Sequence, residues 1–580
     1  MCGIAGIYNL DRKPVIYSQV KKMSEALRHR GPDDEGEFIE RNLGLAHRRL
    51  AIIDLSPTGR QPMSNEDGTI LLVCNGEIYN YLELIPVLEA KGHRFYSKTD
   101  VEVIIHAYEE WGEECLDKFN GEFAFAIWDK IKNKLLLARD IFGTKPIYYY
   151  YKNGQFAFAS EIKAFFHLES FKKKVCIEAL SEYFTFQNIF TNKTLFNGVK
   201  LLPQGHVLTV TKAGLKERQY QDLVFQEERL PLKDYISKIE GAFERSIARH
   251  LISDVPVGSY LSGGMDSASI VALASRQVPR LMTFTGGFDL SSASGIELVF
   301  DERKDAERIA HHFHTTHYEM VIHSGDMSYI IPRLIWHLED LRVGMSYQNF
   351  YIAQLASKFV KVVLAGAGGD EMFGGYPWRY DLVKDCKTIN EFDKVYYRYW
   401  TRLVPDKEKK RFFSKQIWSK IKDLSTFEIY KSIVKKSNNG ASLNRAFYFE
   451  AKTFLHGLLL VEDKISMANS LEVRLPFLDK ELIELSTRIL PDYKHNSGEG
   501  KFILRQAMRK FLPKTIIEKK KQGFSPPDAS WYRGESMNYV KKIILDPRTL
   551  DRGYFNPKYI RNIVEEHISG RVNHRLLIWS

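Results

Sequence analysis

Along the first two hundred residues, short apolar or alternating runs recur at 44–54, 70–74, 123–128, 135–138, 147–151 and 156–159. Each is the length of one strand. Two stretches between them carry apolar residues at helical spacing, Leu82, Ile85 and Leu88, then Val101, Ile104, Ile105 and Tyr108. Many strands and few helices predict stacked sheets. Residues 211–230 are polar and weakly patterned, and read as a linker. After Pro231 the period changes. Helical 235–251, strand-like 255–261, helical 268–276, strand-like 281–285, helical 305–313, strand-like 318–322, helical 350–359 and strand-like 360–364 alternate. Such alternation predicts a parallel sheet covered by helices. From Asp381 onward helical spacing dominates.

A chain of 580 residues is too long for one core, so at least two domains are expected. Apolar content of 44% with 27% charged residues is that of a globular protein and excludes a disordered chain. No apolar run approaches the roughly 20 residues that span a bilayer, and the first residues lack the layout of a secretory signal. Cys2, Cys74, Cys115, Cys176 and Cys386 are odd in number and widely spaced. That argues against a disulfide framework or zinc site and for a reducing, cytoplasmic setting. The net charge of +11 comes from scattered runs at 172–174, 407–411 and 519–521. Without an aromatic-and-basic nucleic-acid module these read as solvated faces, so neither a nucleic-acid nor a membrane partner is expected.

Candidate chemistry begins at residue two. Removing Met1 would leave Cys2 with a thiol and a free α-amine, a nucleophile beside its own proton acceptor. Downstream lie Arg28-His29-Arg30-Gly31-Pro32-Asp33, Leu45-Ala46-His47-Arg48-Arg49-Leu50, Cys74-Asn75-Gly76-Glu77-Ile78-Tyr79-Asn80 and Lys98-Thr99-Asp100. Taken with Cys2, they resemble the glutaminase domain of class II glutamine amidotransferases, an N-terminal-nucleophile fold. The resemblance implies Cys2 as nucleophile, Asn75 and Gly76 as the oxyanion hole, and Arg49, Glu77 and Asp100 around glutamine. The residue types suit this: a guanidinium fork for the substrate carboxylate, acids for its ammonium, and fixed donors for a tetrahedral oxyanion. The competing reading of Asn75-Gly76 is a plain hairpin turn.

A second cluster follows a strand-like run and opens a helical one: Ser262-Gly263-Gly264-Met265-Asp266-Ser267. It resembles the signature loop of ATP-pyrophosphatases. Two glycines let the backbone approach an anion, and a helix N-terminus with Ser262 and Ser267 supplies donors. Asp266 can hold a magnesium ion on the phosphates, and Asp370, in the loop after 360–364, could be its partner. Lys501 could neutralise charge growing on the phosphates. By the resemblance, Leu261, Gly286, Ala365 and Gly366 surround the adenosine.

With both halves in view, and with 466–479 as a further signature, the whole chain is similar to the glutamine-hydrolysing asparagine synthetases. The resemblance implies an α/β protein of two domains. Residues 2–210 would form a four-layer αββα glutaminase sandwich, 211–230 a linker, and 231–580 a parallel-sheet synthetase domain with a helical C-terminal part. It implies glutamine, aspartate and ATP as substrates with Mg2+. Ammonia made at Cys2 would tunnel to an aspartyl adenylate, giving asparagine, AMP and pyrophosphate. A homodimer is compatible with it; the sequence leaves oligomeric state open. Two departures stand out. Ala367 occupies a position where members of that family carry glutamate, so another acid (Glu371, Glu339 or Asp340) covers the role, or a different carboxylate is amidated. Related chains also continue past 574–580 with a further apolar helix, so an uncovered helix face is expected there. A non-catalytic relative would have lost the chemical residues, which are present.

Overall fold

The computed structural model describes residues 1–344, 346–437, 440–521, 523 and 525–580. Two six-stranded antiparallel sheets form the first half. One runs, edge to edge, Val199–Leu201, Tyr148–Lys152, Gln155–Ala159, Gly3–Asn9, Leu43–Arg49, Asp34–Glu40. The other runs Gly214–Gln219, His206–Thr211, Lys134–Arg139, Gly121–Asp129, Ile70–Ile78, Met63–Ser64. The alternation of side chains along each strand sorts residues into layers. Ile4, Tyr8, Leu43 and Leu45 of the first sheet meet Leu71, Val73, Ala124 and Leu137 of the second. Their neighbours point outward: Ala5 and Ile7 pack against Val20 and Met23 of helix Tyr17–Glu25. Leu72 and Cys74 pack against Leu84, Ile104 and Tyr108 of helices Tyr81–Glu89 and Glu102–Trp111. Helix, sheet, sheet and helix give the expected αββα stack.

Two expectations need correction. The first helix buries Tyr81, Leu84 and Leu88 and leaves Leu82 exposed, one position off the face the spacing suggested. The expected linker at 211–230 contains the strand Gly214–Gln219, paired with His206–Thr211. That strand lies at the sheet edge with its last four residues exposed, so no inside–outside alternation marked it.

In the second half a five-stranded parallel sheet has the order Thr316–Ile322, Met282–Phe288, Val257–Tyr260, Val362–Leu364, Glu472–Arg474. Helices Leu232–His250, Met265–Ala274 and Tyr347–Ala356 share its core. The chain first builds outward from Val257–Tyr260 in one direction, then returns to add Val362–Leu364 on the other side. The crevice at such a switch point, beyond the carboxyl ends of the strands, is where open α/β sheets bind ligands. Beyond it the chain is mainly helical, and the final helix Arg575–Trp579 is covered rather than bare: Ile578 and Trp579 pack on the core of the second half. No described helix is long and apolar enough to cross a membrane.

Candidate active sites

Cys2 precedes the central strand Gly3–Asn9, and its backbone N–H donates to Asn75 Oδ1 at 2.9 Å. The Asn75 Nδ2 group is buried and has no hydrogen-bond partner among the described residues. An amide donor beside a thiol with nothing to bond is a group free to receive an oxyanion. Asn75-Gly76 is no hairpin turn; it lies inside strand Ile70–Ile78, with Gly76 opposite Phe123. A Cβ on Gly76 would stand 2.2 Å from the Glu122 carbonyl oxygen, so only glycine fits. Burial pushes the Cys2 thiol up, and the terminal amine partly offsets this.

Glu77 and Asp100 come together as expected. Burial and mutual repulsion raise the Glu77 carboxyl well above its usual range. Burial lifts Asp100 to about 6, against the hydrogen bond it accepts from the Ile78 N–H at 2.6 Å. Arg49 is held differently: its guanidinium donates to the backbone carbonyls of Asp54 and Ser56, the latter at 2.8 Å. It is thus anchored in the 53–59 loop, next to Leu50, whose backbone is bonded to the Cys2 sulfur.

Sequence reasoning missed four residues that complete this site. The Arg30 Nε donates to the Cys2 carbonyl oxygen at 3.0 Å, and its Nη groups grip Asp463 at 2.9 and 3.1 Å. The terminal amine of Met1 is ion-paired with buried Glu472, which also binds Arg474 at 2.6 Å. Arg474 in turn lies 3.4 Å from Glu77. Glu472 and Arg474 stand within the 466–479 signature, which was the available signal; which domain they faced was not legible.

The second site is a cavity of about 820 Å³ at the switch point. It is lined by Leu261, Ser262, Gly264, Asp266, Ser267, Gly286, Ala365, Gly366, Asp370 and Lys501, all sequence candidates; the candidate Gly263 does not line it. The Ser262 N–H donates to Ser267 Oγ at 3.1 Å and the Gly264 N–H to Ser262 Oγ at 3.2 Å, so the serines fold the loop onto the helix start. Lys501 donates to Asp266 at 2.5 Å and pairs with Asp370, bridging the two acids. A Cβ on Gly369 would meet the Asp266 carboxylate at 2.8 Å, so this glycine lets the two loops approach. Burial raises the Asp266 carboxyl, although Lys501 opposes it. At Asp370 burial is outweighed by Lys501 and Lys521, which hold its carboxyl well below the usual range. Asp266 Oδ1 is buried without a hydrogen-bond partner among the described residues. An orphaned oxygen in a buried acid pair fits a hard divalent cation.

In the run at 519–521 only Lys520 is exposed; Lys519 and Lys521 are half-buried and paired. Lys519 donates to the Gly263 carbonyl at 3.0 Å and to Asp305 at 2.7 Å, and Lys521 pairs with Asp370 at 2.5 Å. Lysines such as these look solvated in sequence because the acids that pair with them lie up to 217 residues away. Of the acids weighed as replacements at Ala367, Glu371 lines the cavity and accepts from the Tyr376 hydroxyl at 2.8 Å. Glu339 and Asp340 do not line it; they accept from the Ile162 and Leu195 N–H groups at the domain boundary.

A family model described as asparagine synthase matches residues 238–580, and one described as glutamine amidotransferase domain matches residues 1–221. The asparagine synthetase [glutamine-hydrolyzing] 1 of Bacillus subtilis is 31% identical over 100% of this chain and 95% of its own length. The chain belongs to the asparagine synthase family. A second B. subtilis member, asparagine synthetase [glutamine-hydrolyzing] 3, is 31% identical over 95% of this chain and 93% of its own. The two matched regions are separated by residues 222–237, which run from just past strand Gly214–Gln219 into helix Leu232–His250. The first holds Cys2, Asn75, Glu77 and Asp100; the second holds the Ser262 loop, Asp370 and Lys501, and also Asp463, Glu472 and Arg474, which reach across to the thiol site.

Proposed function

We propose that the protein makes asparagine from aspartate, with glutamine as nitrogen donor and ATP as activator. The thiolate of Cys2 attacks the glutamine side-chain amide; Asn75 and the Gly76 N–H hold the oxyanion, while Arg49, Glu77 and Asp100 hold the amino-acid head. Water releases glutamate, and ammonia passes through the interior. In the second cavity the aspartate side-chain carboxylate attacks the α-phosphorus of ATP, and pyrophosphate leaves. Asp266 and Asp370 would hold a magnesium ion, which neutralises charge on the departing phosphates. Lys501, and beside it Lys519 and Lys521, add cations to the same wall. Ammonia then displaces AMP. The setting is cytoplasmic, and a homodimer is compatible with this reading.

One observation supports the reading most: a buried bridge, Cys2 to Arg30 to Asp463, ties the thiol site to helix His456–Met467, whose Leu458 and Glu462 line the second cavity. Products from glutamine, ATP, magnesium and aspartate are read by mass spectrometry, with asparagine, AMP and pyrophosphate expected. Ala367 favours one competing reading, a different acyl carboxylate. Pyrophosphate release with some other acid, and none with aspartate, would replace this function with that one.

Acid conditions offer a second check. An ammonium is bound by ionised carboxylates, and a raised carboxyl is ionised only above its elevated pKa. With Asp100 lifted to about 6, the KM for glutamine should climb as the pH falls through that value. Asp100→Asn should remove the inflection. An unchanged KM across this range would take Asp100 out of substrate binding.

A further inference from the structure

Helix His456–Met467 runs along the domain boundary and sends successive residues to different neighbours. Leu460 packs in a core cluster of the first domain and Val461 in that of the second. Asp463 takes Arg30, and Lys464 takes Glu339 at 2.8 Å. Leu458 and Glu462, one turn apart and so on one face, line the ATP-half cavity together with Ala367, Tyr260 and Asn349.

The acids lining that cavity differ in what they are committed to. Asp266 and Asp370 serve Lys501 and Lys521, Glu302 serves Lys519 at 3.3 Å, and Glu499 faces Arg505 at 3.5 Å. Among the described residues Glu371 and Glu462 have no such cation; Glu371 accepts from the Tyr376 hydroxyl at 2.8 Å, while burial lifts the Glu462 carboxyl to about 7, opposed by a hydrogen bond with Asn349 and aided by Asp463. A carboxyl poised there is part-ionised at neutral pH, suited to accept a proton and release it again. Glu462 also sits one residue from Asp463, the Arg30 partner that leads to Cys2.

We propose that Glu462 is the general base for the attacking ammonia, the task that Ala367 has no group to perform. The role rests on the reaction proposed above. The ammonia nitrogen forms a bond to the acyl carbon, Glu462 takes one N–H proton, and the C–O bond to AMP breaks with its electron pair leaving on the phosphate. The amide stays, and the proton passes from Glu462 to water.

The isosteric Glu462→Gln variant separates this role from others. Aspartate-dependent exchange of labelled pyrophosphate into ATP, and glutamine hydrolysis, should stay within about threefold of native, while amide formation from subsaturating ammonia falls about 10²–10⁴-fold. Hydroxylamine, neutral at assay pH, should lose less. Amide formation at near-native rate overturns the role. So does loss of exchange together with amide formation, because Glu462 would then be holding the acyl substrate. If glutamine lowers both controls through misfolding, Glu462→Asp decides: a base set back by one methylene should still outperform glutamine in amide formation, and equal loss in both overturns the role. Native protein without aspartate-dependent exchange would overturn the proposed reaction, and this role with it.

Discussion

Cys2→Ala protein should lose glutamine-dependent asparagine formation by at least about 10⁴-fold, the scale on which removal of a nucleophile acts. Ammonia-dependent formation should remain within about twofold, because the substitution leaves every hydrogen bond of the bridge between the domains in place. The substitution removes one buried sulfur and leaves intact the N–H that donates to Asn75. Arg30 still finds the carbonyl of residue 2 and the Asp463 carboxylate, so the bridge between domains survives. Protein that retains Met1 should behave like the alanine variant in the glutamine assay. Its terminal amine is ion-paired to Glu472 and therefore is not on Cys2. Comparing three preparations (processed, Met1-bearing and Cys2→Ala) with glutamine and with ammonium chloride makes the test. Loss of the ammonia reaction in Cys2→Ala would contradict two separable sites.

The layers of the first domain were legible because its strands alternate: Leu71 and Val73 face one way, Leu72 and Cys74 the other. Gly214–Gln219 was missed for the same reason in reverse, as a mostly exposed edge strand has no face to mark. The candidate residues that stand in compact motifs could be placed from the sequence too, since a strand followed by a glycine-rich turn and a helix presents its donors locally. What failed were statements about partners. Lys521 read as solvated until Asp370 was seen beside it, and Glu339 read as a cavity acid until it was seen accepting from Ile162 and Lys464. Glu472, Arg474 and Arg30 join the thiol site only through pairing between domains, across more than 400 residues in two cases. Burial of charge depends on such pairing, and sequence spacing carries no record of it. Glu462 escaped notice because its own helix gives it an acid on one side and no cation in the cavity.

Asp266→Asn tests the other half with the least disturbance of shape. The side chain keeps its volume and can still accept at one oxygen, but it loses the charge that Lys501 pairs with and the orphaned oxygen offered to a cation. Pyrophosphate release should fall by about 10³-fold or more, since a metal at the phosphates is worth several kcal/mol and each 1.36 kcal/mol is a factor of ten. Glutamine hydrolysis should continue, because none of the hydrogen bonds at Cys2 involve this loop. The direction of a second effect follows from the ion pairs. Lys501 would be left to Asp370 alone, which Lys521 already neutralises, so the wall gains net positive charge. Raising magnesium should therefore restore little, as the cation now meets one acid and two ammonium groups. Pyrophosphate release within tenfold of native, or full rescue by magnesium, would show that the phosphates sit elsewhere than between the Ser262 loop and Asp370.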